Sequence, residues 1–215
     1  MSTEIKAVVF DMDGVLIDAR EWHYEALNRA LALLGYEITR YEHLSTYDGL
    51  PTKQKLQMLT VEHGLPAELH SFMNSLKQQY TLEFVATRCK PVFQHQYALA
   101  RLRQAGYRLG VASNSVRRTV EEMMERSDLL QYLDVIVSNE DVAKGKPDPE
   151  MYVKAMATLG VEPHEVVVVE DNENGVRAAT AAGAHVLVVG GPEDVTLDAI
   201  QGRVAAVESE RSVAA

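Results

Sequence analysis

One cysteine, Cys89, stands in the whole chain, so no disulfide can close within it. That scarcity fits a reducing, cytoplasmic setting. No stretch approaches the ~20 apolar residues that span a bilayer, so no membrane partner is expected. The opening MSTEIKAVVF has no basic stretch followed by a long apolar segment, and no signal peptide is expected from it. Basic residues are also short: 21 Lys and Arg stand against 31 Asp and Glu, a formal net charge of -10. A nucleic-acid binder carries a basic face. Nothing here exceeds Arg117-Arg118 or the pair Lys144 and Lys146, so no nucleic-acid partner is expected. A small anion held by one or two local cations is still allowed.

What is there is ordinary globular chain. With 215 residues and 47% hydrophobic content, it can fill one substantial domain, or one domain carrying a smaller insertion. No internal repeat or low-complexity segment interrupts it. KAVVF (6–10) reads as a buried strand. From 19 to 34 apolar residues fall three and four apart, and Gly35 closes the run as a helix cap. Further helices are expected over 52–63, stopped by Gly64, and over 66–85, with Pro66 in its first turn. After Pro91 the texture changes to alternation. Helices over 95–105, 116–126, 148–159 and 173–182 lead into strands over 107–112, 134–138, 165–169 and 185–189. Val-rich strands without a polar side indicate a parallel sheet covered on both faces. The fold expected is α/β: a doubly wound, Rossmann-like parallel sheet with a small all-helical domain inserted after the first strand. The expected bounds are 1–16 and 87–215 for the sheet domain and 17–86 for the insertion. The tail after 201 is small, polar and weakly patterned, an end expected to fray.

In such a sheet, ligands bind beyond the carboxyl ends of the strands. The first strand ends in Asp11 and Asp13. The strand over 107–112 ends in Ser113-Asn114. The strand over 165–169 ends in Glu170-Asp171, and the loop after 134–138 carries KGKPDP (144–149). Singly, each has an ordinary reading: turn acids and helix caps, or a solvated lysine. Together they converge on one edge of one sheet. Clustered carboxylates repel and call for a cation, and oxygen donors suit Mg²⁺. A phosphoryl group then fits between that ion, a lysine and neutral donors. Asp11 is placed to attack phosphorus. Asp13, two residues on, is placed to protonate the leaving oxygen and then to activate water.

FDMDGVLID (10–18), VASNS (111–115), KGKPDP (144–149) and VVEDNENGVRAATAAG (168–183) resemble, in order, the four motifs of the haloacid dehalogenase superfamily of aspartate-nucleophile phosphotransferases. The helical insertion is similar to the cap of one subclass. The nearest likeness is to the branch of β-phosphoglucomutase and small sugar-phosphate phosphatases. The resemblance implies that Asp11 is nucleophile and metal ligand. It implies that Asp13 is general acid/base, with its backbone carbonyl on the metal. By the same resemblance Ser113 and Asn114 would bind the transferring phosphoryl group, and Lys146 would neutralise it and orient Asp11. The resemblance also implies that Asp171 completes the Mg²⁺ site, with Glu170 a direct ligand or one bound behind the direct ligands. Asn172 stands where this branch often has Ser. An acid at position 13 points to P–O chemistry, since dehalogenases need none there and capped phosphonate hydrolases use a small residue.

In the insertion, His23 and Lys53 match positions where relatives place groups near the substrate; an ordinary helix histidine and a surface lysine are equally open readings. Arg20 and Lys77 read as solvated and Trp22 as packing. The function expected is Mg²⁺-dependent hydrolysis of a small phosphorylated metabolite, a sugar or polyol phosphate, with a phosphosugar mutase as the alternative. A non-catalytic binding protein on the same fold would lack the motif acids, and all are present. The cap is expected to swing on linkers near 14–18 and 86–91. Nothing in the sequence sets the oligomeric state, and a monomer is the expectation.

Overall fold

The computed structural model describes residues 4–47 and 50–214, with side chains to residue 210. Asp48 and Gly49, inside the segment that leads to Lys53, lie outside the described residues. The chain divides into two compact units, Met1–Asp18 with Lys90–Ala215, and Ala19–Cys89.

The first unit is built on five parallel strands: β1 (Ala7–Phe10), β2 (Arg108–Ala112), β3 (Val135–Val137), β4 (Val166–Glu170) and β5 (His185–Val188), in the order β3-β2-β1-β4-β5. β1 is central, and all four of its residues are buried. Successive side chains alternate between faces, and both faces are covered. Ala7, Val9, Val166 and Val168 pack with Met151, Tyr152, Ala155 and Met156 of α7 (Glu150–Leu159) and Ala178 and Ala179 of α8 (Glu173–Ala181). Val167, one residue out of phase, packs with Ile5 and with Val204 and Val207 of α9 (Leu197–Ala214). This two-sided burial is why the strands carry no polar stripe. The unit also holds α5 (Phe93–Gln104) and α6 (Arg117–Arg126).

α9 corrects the expectation of a fraying tail. Ile200, Val204 and Val207 recur at helical spacing and are buried, but the alanines and charges between them hide the stripe. A second difference concerns Glu170. The apolar run stops before it, yet it pairs with Val188 as the last residue of β4, because the backbone ladder continues past the change in polarity.

The second unit is helical: α1 (Arg20–Ala32), α2 (Arg40–Glu42), a π-helical turn His43–Tyr47, α3 (Thr52–His63) and α4 (His70–Arg88), the last preceded by a 3-10 turn at Ala67–Leu69. Gly64 ends α3 at φ 71°, the left-handed conformation that a Cβ disfavours. Its core is its own: Leu27, Leu31, Ile38, Leu56, Leu59, Leu65 and Met73. The short α2 begins on a capping box, with Thr39 accepting from the Glu42 backbone and Glu42 accepting from that of Thr39. Among the described residues, no helix is long and apolar enough to cross a membrane.

Candidate active site

Strand register assembles the site. β1 pairs with β4 so that Phe10 lies beside Val169, and with β2 so that it lies beside Val111. One step further along, Asp11 is level with Glu170 and Ala112. The Asp11 backbone N–H donates to Val169 O at 2.9 Å. Asp13, Ser113 and Asp171 follow just beyond the strand ends. After Asp11 the chain turns sharply, with Ile17 N donating to Met12 O at 2.9 Å and Gly14 N to Ile17 O at 2.8 Å. Gly14 sits at φ +91°, and a Cβ there would lie 2.1 Å from Asp171 Oδ2. Only glycine lets this turn approach the acid. Gly175 does the same for Glu170, where a Cβ would fall 1.9 Å from its carboxyl carbon.

Lys146 is the hub. Its Nζ donates to Asp11 Oδ1 and to Glu170 Oε1, each at 2.6 Å. Asp11 and Lys146 are 5% exposed and Glu170 is fully buried. Burial pulls the Lys146 ammonium down, but the two carboxylates outweigh it and raise its pKa. Asp11 is raised well above the usual carboxylate range, first by burial, with Glu170 and Asp13 adding repulsion against the pull of Lys146. One ammonium is thus shared by two buried carboxylates, Asp11 and Glu170. Asp11, Glu170 and Asp171 each offer a carboxylate oxygen within 4.8 Å of the others. An all-oxygen set of carboxylate donors fits a hard divalent cation.

The remaining strand-end residues hold this arrangement in place. Asn114 clamps the Lys146 backbone: Lys146 N donates to Asn114 Oδ1 at 2.9 Å, and Asn114 Nδ2 donates to Lys146 O at 3.3 Å. Its side chain thereby fixes the lysine loop to the tip of β2. Ser113, 1% exposed, accepts from the backbone N–H of Ser115 at 3.1 Å. Ser115 Oγ donates to Asp13 Oδ2 at 3.0 Å. Asn172 caps α8 through Gly175 N at 3.0 Å and reaches Asp171 Oδ1 at 3.0 Å with its amide.

Asp11, Lys146, Glu170 and Asp171 are therefore brought together, with Asn114 bound to the Lys146 backbone and Ser113 linked to Asp13 through Ser115. His23 and Lys53 belong to the helical unit. There His23 is half-buried with Lys77 Nζ 3.0 Å from its Nδ1, and Lys53 is exposed on the first turn of α3. Two further residues escape a reading of the sequence. Ser115 lies inside VASNS, but neighbouring Ser113 and Asn114 carry the motif. Tyr152 donates its hydroxyl to Glu170 Oε1; in sequence it is one apolar-face residue among Met151, Ala155 and Met156.

A five-stranded parallel sheet that gathers buried carboxylates around one lysine at its carboxyl edge defines an acid-centred α/β domain of the Rossmann-like class. The chain belongs to the haloacid dehalogenase-like hydrolase family, whose model matches residues 8–189. It is 33% identical over 179 residues to a phosphorylated carbohydrates phosphatase of Thermotoga maritima, covering 83% of this chain and 82% of the relative. It is 30% identical over 203 residues to hexitol phosphatase B of Escherichia coli K12, covering 90% and 88%. The crystal structure of CbbY from Rhodobacter sphaeroides in complex with phosphate is similar, with a TM-score of 0.79, 27% identity and 87% of each chain covered.

Proposed function

We propose that this protein is a Mg²⁺-dependent phosphatase of a small phosphorylated metabolite, a sugar or polyol phosphate, acting through an aspartyl phosphate. The observation that carries the reading is the buried Asp11–Lys146–Glu170 bridge at the carboxyl edge of the sheet. The relatives named as carbohydrate and hexitol phosphatases support the substrate class.

An Asp11 carboxylate oxygen forms the bond to phosphorus as the P–O bond to the alcohol breaks. Asp13 gives its proton to the departing oxygen. Asp13 then takes a proton from water, whose oxygen attacks phosphorus and breaks the bond to Asp11, releasing inorganic phosphate. Lys146 keeps the attacking carboxylate aimed, and Ser113 with the Asn114 segment binds the phosphoryl group. Mg²⁺, held by Asp11, Glu170, Asp171 and the Asp13 carbonyl, would offset the charge on the phosphoryl oxygens. The helical segment 17–86 serves as the cap, and His23 and Lys53 are its candidates for reading the substrate beyond the phosphate.

A screen of phosphorylated metabolites tests this, scored separately for released phosphate and for isomerised sugar phosphate. Release from sugar or polyol phosphates that stops with EDTA and returns with Mg²⁺ is expected. Isomer without net phosphate makes the protein a mutase. Release that resists the chelator removes the cation from the scheme.

A further inference from the structure

Tyr152 has no part in the chemistry described above, yet it touches two of the groups that do. It is fully buried on α7. Its hydroxyl donates to Glu170 Oε1, the same oxygen that accepts from Lys146 Nζ at 2.6 Å. Its ring lies under the ammonium, with Lys146 Nζ 4.8 Å from the ring centroid. The other carboxylate oxygen of Glu170, Oε2, takes a different set of partners: Asp171 N at 3.2 Å and Asn172 Nδ2 at 3.4 Å. Packing alone would need the ring and not the hydroxyl, since phenylalanine fills the same space. A buried phenol needs an acceptor, and the one it has is a carboxylate of the acidic cluster.

We propose that Tyr152 is a positioning residue: its hydroxyl pins Glu170 Oε1, and its ring supports Lys146, so that Glu170 keeps Oε2 turned toward Asp171 and Lys146 stays bridged to Asp11. The inference rests on the reading of Asp11, Glu170 and Asp171 as the cation centre of a phosphatase. Without the hydroxyl, Oε1 depends on Lys146 alone, the carboxylate can rotate, and the lysine is drawn further toward Glu170. Groups that orient metal ligands from behind are worth about 10–100-fold in affinity or activity.

The test uses the full chain stripped of metal and titrated calorimetrically with Mg²⁺ alone. In Tyr152→Phe, the Mg²⁺ Kd is expected to weaken about tenfold. At saturating Mg²⁺, kcat should fall with KM unchanged. Ala155→Gly, on the same buried face of α7, reports what loosening the helix does by itself and should leave Kd near wild type. An unchanged Kd and kcat in Tyr152→Phe overturns the proposal. So does an equal loss in Ala155→Gly, or a Tyr152→Phe chain with no cooperative melt, which would make the hydroxyl a folding determinant. If wild type binds Mg²⁺ but releases no phosphate from any ester, and Tyr152→Phe still weakens Kd, the phosphatase reading fails and the positioning role stands. Normal hydrolysis with a Tyr152→Phe Kd equal to wild type does the opposite: the phosphatase reading stands and the positioning role fails.

Discussion

Asp11 is asked to be both buried and charged. Removing a carboxylate from water favours its neutral form, and burial is the largest influence raising its pKa. The role proposed for it nevertheless needs an anion. Lys146, 2.6 Å away, supplies part of what burial removes. Its charge is shared with Glu170, however, so two buried carboxylates draw on one ammonium. This imbalance is what the four motif segments conceal individually: each acid reads as a turn or cap residue until strand register brings them level. Asp11→Asn keeps the side chain's size and removes the anion. Phosphate release is expected to fall by at least ~10³-fold, as for loss of a covalent nucleophile, while the urea midpoint moves little. Undiminished release from the purified variant would remove Asp11 from its role. Residues that act through backbone or through another side chain are less legible in the sequence. The resemblance of the motif around Asn114 implies only a phosphoryl contact; its amide is committed to the Lys146 backbone, a partner 32 residues away that only the folded chain supplies. Tyr152 is invisible in the sequence because a tyrosine on an apolar helix face has the same pattern as any core residue.

At the scale of elements, the strands are readable because two-sided burial leaves unbroken Val-rich runs. Where an element depends on polar satisfaction, the pattern is silent. The one-turn α2 and the 3-10 turn at Asn139–Asp141 after β3 are both closed by capping boxes. The second of these matters to the site. Asn139 N donates to Ser115 O at 3.1 Å, tying the turn to the loop that carries Ser113 and Ser115. Asp141 Oδ2 closes the turn, accepting from Ser138 N at 2.8 Å, Ser138 Oγ at 2.7 Å and Arg117 Nη2 at 2.5 Å. The Arg117 guanidinium, helped by Ser138 and opposed by burial, holds the Asp141 carboxyl below the usual carboxylate range. A carboxylate with a depressed folded pKa gives stability that is full above its unfolded pKa of about 3.9 and is lost as pH falls toward the folded value. Asp141→Asn should therefore cost about 1.5–3 kcal/mol at pH 7, the range for hydrogen bonds to a charged group. The gap to wild type in urea denaturation should be narrower at pH 3 than at pH 7. A gap independent of pH would mean that the charge of Asp141 contributes nothing.

For the whole molecule, the starting point is that the helical unit buries a core of its own. Leu27, Ala30, Leu31, Leu59 and Met73 bury one another within Ala19–Cys89. The helical unit also closes its own ion pairs, with Arg88 to Glu25 at 2.7 Å, Arg29 to Glu83 at 2.6 Å, and Arg29 4.1 Å above the Tyr80 ring. Every carboxylate of the candidate cation centre, together with Lys146 and Tyr152, belongs to the sheet unit. A chain built this way can lose order in one unit without losing the chemistry of the other, since proteins open in cooperative sub-units. Leu31, fully buried at the centre of the helical core, tests this. Leu31→Ala removes three carbons from a packed site and should cost about 2–5 kcal/mol. Hydrogen exchange should report that loss in the amides of α1 and α4, while those of β1 and β4 keep their protection. The Mg²⁺ Kd should match wild type, because Leu31 belongs to the helical core and the acidic cluster to the sheet unit. Equal loss of protection in the helices and in the central strands would show instead that the two cores unfold as one, and the division into units would then describe geometry without describing stability.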